Sequence, residues 1–139
     1  MTSPSLPPPA HTASTIVDRR RAAEALYATG HLLLTDQKPA HASGVFRAMA
    51  LLVPTDERAW LGLGACHEAI EQNLIALEMY GTGRMLARTP VRCELARARV
   101  LHKLGRDEER REAIDRAAEI AESCERELVT LVEIERAAS

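Results

Sequence analysis

The chain has 139 residues, 46% hydrophobic and 27% charged, which suits one domain with a continuous core. A net charge of −2 and a pI near 6.2 leave no basic face of the kind a nucleic-acid partner needs. Three widely spaced cysteines without a CxxC pair make no disulfide framework, and no apolar run reaches the roughly 18 residues of a membrane span.

Residues 1–13 hold Pro4 and Pro7-Pro8-Pro9, whose fixed φ and missing donors argue against a helix. They read as a disordered Pro-rich arm, without the charged-then-apolar order of a secretory signal. Residues 14–137 read as one domain. Ala, Leu, Arg and Glu dominate it, the residues helices favour. A first helix is predicted from Thr15 to about Thr35. Asp36-Gln37-Lys38-Pro39 forms a turn, with Pro39 suited to the first turn of the next helix. That second helix carries Val45, Phe46, Met49, Leu52 and Val53 at helical spacing. Pro54 and Asp56 interrupt. A third helix is predicted from Glu57 to Ile70, a fourth from Leu74 to Ala87, and Thr89-Pro90 breaks again. A fifth runs from Arg92 to Leu104 and stops at Gly105. A sixth starts at Asp107, and Ser123 marks the break before a C-terminal helix over residues 124–137. No strand is predicted.

The helices repeat. Shifted by 34 residues, Gly30 falls on Gly64 and then Ala98, Ala42 on Ala76, Phe46 on Tyr80 and then Ile114, and Met49 on Gly83 and then Ala117. Paired helices at this period are the tetratricopeptide signature, in units of about 23–56, 57–90 and 91–122. The small residues allow two helices to approach, and Phe46, Tyr80 and Ile114 fill the gaps between hairpins. Trp60 and Leu63 are expected to be well buried. The third unit departs from the pattern. Arg110 stands where a small residue is expected and Glu94 where a large apolar one is, so a looser or shifted pairing is expected there. The fold class is all-α, a tetratricopeptide superhelix of about three hairpins plus a C-terminal helix.

With the repeats placed, Trp60-Leu61-Gly62-Leu63-Gly64-Ala65-Cys66 resembles the Phe-Leu-Gly-Leu-Gly-Ala-Cys stretch of the tetratricopeptide chaperones of bacterial type III secretion, the LcrH/SycD class. Leu26-Tyr27-Ala28, Ala42 to Phe46, and Ala76, Tyr80 and Gly83 agree with it, over about residues 23–120. The resemblance implies a bacterial cytoplasmic protein that binds an extended segment of a secreted translocator and keeps it soluble before export. It implies no enzymatic activity and no cofactor. A chaperone of the needle subunit and a generic tetratricopeptide scaffold are the alternatives. The family carries an extra N-terminal helix that helps form a dimer. The Pro-rich arm stands in its place here, so a homodimer is left open.

In this repeat geometry the first helix of each hairpin lines the concave surface. The candidate partner-binding residues are Tyr27, His31 and Leu34 from the first unit, Arg58, Leu61, Ala65 and Glu68 from the second, and Arg92, Leu95, Arg99 and His102 from the third. They form an apolar strip flanked by charge, suited to an extended peptide. Catalytic and metal chemistry are not expected. His67-Glu68-Ala69-Ile70-Glu71 lacks the second histidine of the zinc motif HExxH. Cys66 and Cys93 read as small buried hydrophobes.

Overall fold

The computed structural model describes the backbone of residues 10–124 and 126–138, and the side chains from Thr15 onward within them. The described residues form seven helices: α1 (Ala10–Thr35), α2 (Pro39–Leu52), α3 (Glu57–Ala69), α4 (Asn73–Leu86), α5 (Val91–Lys103), α6 (Asp107–Glu122) and α7 (Arg126–Ala137). The breaks at Pro54, Pro90, Gly105 and Ser123 fall between helices, as their chemistry requires. The first helix starts at Ala10, so residues 10–13, assigned to the arm from sequence, are helical. The rest of that expected arm, residues 1–9, lies outside the described residues.

The three hairpin turns show the repeat in the backbone. Gln37, Glu71 and Gly105, one period apart, each adopt left-handed φ, at 60°, 59° and 72°. Each is followed by an N–H that reaches back to the preceding helix: Lys38 to Leu33 O, Gln72 to His67 O and Arg106 to Leu101 O, all at 2.9 Å. This is the Schellman closure, which satisfies the last free carbonyls of a helix. Only Gly105 adopts the left-handed conformation without a Cβ penalty.

Consecutive helices pack antiparallel. The odd helices α1, α3, α5 and α7 also touch in sequence, whereas the even helices do not touch one another. The odd helices therefore form the inner, concave layer and the even ones splay apart outside. Phe46 of α2 lies against Gly30 of α1 and Gly62 of α3, and a Cβ on Gly30 would stand 2.7 Å from its ring. Tyr80 of α4 repeats this against Gly64, in a cluster with Ala76, Ala96 and Val100. Ile114 of α6 closes the third step with Ala98, Leu101 and Val132 of α7.

Two expectations need correction. Leu63 is buried, but Trp60 is only half-buried: it borders a surface recess that Leu51, Leu63 and Met79 also line, with Nε1–H donating to Pro54 O at 2.9 Å. The third hairpin is not loose, and α5 packs on α6 as closely as α3 does on α4. Glu94 is 1% exposed and meets guanidinium nitrogens of Arg84 at 3.3 Å, Arg97 at 3.1 Å and Arg116 at 3.5 Å. An ionic hub joining α4, α5 and α6 thus occupies the position where the second unit has Trp60.

Candidate functional site

A cleft of about 500 Å³ opens on the inner layer between α1 and α3. Tyr27, His31 and Leu34 line one wall, Arg58, Leu61 and Ala65 the other, with Phe46 and Gly62 at the floor and Arg92 at the edge. Tyr27, His31 and Leu34 face it because they stand four and three residues apart, on one side of a helix. Seven of the eleven residues expected from sequence are therefore brought together.

Arg58 organises the polar end. Its guanidinium donates to Glu24 Oε1 at 2.7 Å and Asp56 Oδ2 at 2.8 Å, and lies 4.6 Å from the centre of the Tyr27 ring. A cation over an aromatic face is attractive, and the two carboxylates fix it there. His31 also stacks on Tyr27, with ring centres 6.0 Å apart. Asp56 also caps α3, accepting the Arg58 N–H at 3.0 Å. Hydrogen bonds from Arg58 hold the Glu24 carboxyl below its ordinary range. For Asp56 burial works the other way, and the Arg58 hydrogen bonds outweigh it, so its pKa is lowered. The Arg58 pKa is correspondingly raised, by its hydrogen bonds to Asp56 and Glu24. Glu24 and Asp56 were not among the expected site residues. The signal for Glu24 was present: it stands one period before Arg58.

The remaining four expected residues lie elsewhere. Leu95 is corrected: it is 5% exposed and packs with Val91, Leu101 and Ala121, because α6 and α7 close over that face of α5. Glu68 is engaged internally, accepting the Tyr80 hydroxyl and, at 2.9 Å, Lys103 Nζ. Arg99 is exposed outside the cleft. His102 is exposed, with Nδ1 3.4 Å from Asp107, and lines a different cleft between α5, α6 and α7. Arg92 bridges toward Glu57 and Glu127, each at 3.9 Å.

The cysteines nearby are unsuited to chemistry. Burial raises the Cys66 thiol to about 11 and pushes Cys93 up further, so both stay protonated at neutral pH. Among the described residues no group of three His, Cys, Asp or Glu side chains could hold a metal ion, and no helix is long and apolar enough to cross a membrane. What the cleft offers is an apolar, aromatic-edged slot with fixed charge at one end, which suits recognition of a chain segment.

Stacked helical hairpins of this length with an inner-face groove are the architecture of the tetratricopeptide chaperones of type III secretion, the class the sequence resembles. The likeness extends along most of the chain. The translocator chaperone SycD of Yersinia enterocolitica is similar with a TM-score of 0.73 and 28% identity, over 84% of this chain and 89% of that one. SycD in complex with a peptide of the translocator YopD is similar with a TM-score of 0.69 and 29% identity, over 83% and 89%. PcrH of Pseudomonas aeruginosa follows, with a TM-score of 0.72 and 25% identity over 84% and 89%. Among curated proteins, a cell division cycle protein 27 homolog of Caenorhabditis elegans is 47% identical over 58 residues, which are 42% of this chain and 7% of that protein. No family model matches the sequence.

Proposed function

We propose that this chain is a bacterial cytoplasmic chaperone of type III secretion that holds an extended segment of a secreted translocator in the cleft between α1 and α3, without catalysis. The observation that carries the reading is the slot of Tyr27, His31, Leu34, Leu61 and Ala65 on the inner layer of a fold shared with SycD, which has been seen with a translocator peptide. Such a slot binds by apolar anchors in a pre-formed groove, so little ordering is needed on the chaperone side. Tyr27 is the side chain best placed to carry binding energy, since Arg58 and His31 already hold its ring.

Co-expression with candidate translocators, followed by titration of the captured segment, tests this. Tyr27→Ala is expected to weaken binding by about 2 kcal/mol, roughly thirtyfold. Capture of a needle subunit in place of a translocator would move the chain to the other kind of secretion chaperone. Binding unchanged by replacement of Tyr27, Leu34 and Leu61 together would place the client elsewhere.

A further inference from the structure

The cleft where His102 lies has a volume of about 490 Å³ and is walled by α5, α6 and the end of α7. His102 and Ile114 in its lining stand two periods after Leu34 and Phe46, which line the first cleft. These two positions are all that the linings share under the repeat; the rest of the second lining comes from α6 and α7. Their chemistry differs, because α6 supplies Arg110 and Arg111 and α7 supplies Arg136.

Arg110 is the unusual member. It is 6% exposed, in the repeat position filled by Ala42 and Ala76. One of its two terminal nitrogens donates to the Glu135 backbone carbonyl at 2.9 Å, and its buried Nε has no hydrogen-bond partner. Among the described residues no carboxylate pairs with Arg110 or Arg111. The two aspartates in the wall are otherwise engaged: Asp107 with His102 at 3.4 Å and Asp115 with Arg136 at 3.0 Å. A buried guanidinium without a counter-anion is costly, and a bound anion would relieve that cost. The planar fork of arginine fits a carboxylate in two-point geometry. The two nearby aspartates disfavour a doubly charged phosphate more than a singly charged carboxylate.

We propose that this cleft is a carboxylate-binding site that takes an acidic side chain of a bound polypeptide, with Arg110 and Arg111 as its cations. That the polypeptide is the client in the groove rests on the function proposed above. An apolar anchor would then enter the first cleft and an acidic residue this one, at separate points of the bound segment.

The test follows the arginine Nε–H resonances of the full chain during titration with N-acetylglutamate methylamide, its glutamine counterpart, and inorganic phosphate. The glutamate probe is expected to shift the Arg110 and Arg111 signals saturably, with the glutamine counterpart about tenfold weaker or more. Arg110→Met is expected to abolish the Arg111 response while melting no earlier than the parent, since it removes an unpaired buried charge. If that variant does not fold, Arg111→Gln, at an exposed position, decides by the loss or survival of the Arg110 response. Equal response to the glutamate and glutamine probes, no response at either arginine, or tighter saturation by phosphate would each overturn the proposal. The probe needs no client, so its result is independent of whether Tyr27→Ala weakens client capture, which tests the proposed function alone.

Discussion

Trp60 and Glu94 occupy the same position in successive units and solve the same problem in opposite ways. Around Trp60 the joint is apolar. The side chain is partly exposed, its N–H finds a backbone carbonyl, and Gly83 leaves room for it: a Cβ there would lie 2.6 Å from both Trp60 Cβ and Cys93 Sγ. Around Glu94 the joint is ionic and closed, with arginines from three helices converging on one carboxylate. An apolar side chain tolerates partial exposure at little cost. A carboxylate at this depth does not tolerate partial pairing, because each missing partner leaves desolvated charge uncompensated. The difference teaches that the superhelix fixes helix spacing, while the contents of each joint are free to change chemistry as long as the buried carboxylate meets cations.

The sharpest way to break the comparison is Glu94→Ala. Removing one member of a buried charge network leaves the others unpaired, and a loss of about 3–5 kcal/mol in unfolding free energy is expected from denaturant titration. A loss below about 1 kcal/mol would mean that the arginines relax to water and that the hub contributes little. Gly64→Ala comes next. The added methyl meets the Tyr80 ring inside the second hairpin. The overpacking is expected to cost about 2–3 kcal/mol, although alanine is the better helix former by about 1 kcal/mol. At the matching position of the third hairpin the chain already carries Ala98, opposite the smaller Ile114. Trp60→Ala follows at about 2 kcal/mol, below the roughly 3–5 kcal/mol of a fully buried aromatic, because part of the side chain faces solvent. A cost equal to that of Glu94→Ala would show that exposure of the side chain is a poor guide to its contribution.

The helices were legible because their punctuation is local. Pro39 at a helix start, Pro54 and Pro90 between units, Gly105 in a left-handed turn and the break at Ser123 each act within a turn of chain. The first cleft was legible because periodicity puts Tyr27, His31 and Leu34 on one helix face opposite Leu61 and Ala65. What escaped depends on neighbours distant in sequence. Leu95 has the spacing of a groove residue, but α7 covers it, and only the packing of a seventh helix decides that. Glu94 and Arg110 read as defects in the repeat, because pairwise spacing does not reveal which three arginines will meet a carboxylate. The start of α1 was missed for a simpler reason: the prolines end at Pro9, and nothing in residues 10–13 forbids a helix.

The same contrast between second and third units appears at the starts of their inner helices, with a smaller effect. Helix α3 is capped from its own chain by Asp56. Helix α5 has Pro90 at that position and is capped across the groove by Glu57, whose carboxylate accepts the Cys93 N–H at 3.2 Å. The two carboxyls respond in opposite directions. The Asp56 pKa is lowered below its ordinary 3.8, because hydrogen bonds from Arg58 outweigh burial. The Glu57 pKa is raised above its ordinary 4.5, because burial outweighs the Cys93 hydrogen bond. Linkage gives the signs. The contribution of Asp56 is present above 3.8 and is lost as pH falls through its lowered folded value. That of Glu57 is full below 4.5 and is lost as pH rises through its raised folded value. Asp56→Asn keeps a side chain that can cap the helix, but it puts an amide NH2 in place of one carboxylate oxygen that accepts from Arg58, so it removes the charge and that ion pair together. It is expected to flatten the loss of stability on the acid side, by under about 1 kcal/mol. Glu57→Gln is expected to remove the opposing slope at and above pH 4.5, leaving the acid-side loss intact. Unfolding free energies of the three chains across this range check both signs. A parallel pH dependence in all three would show that neither cap is coupled to folding through its charge.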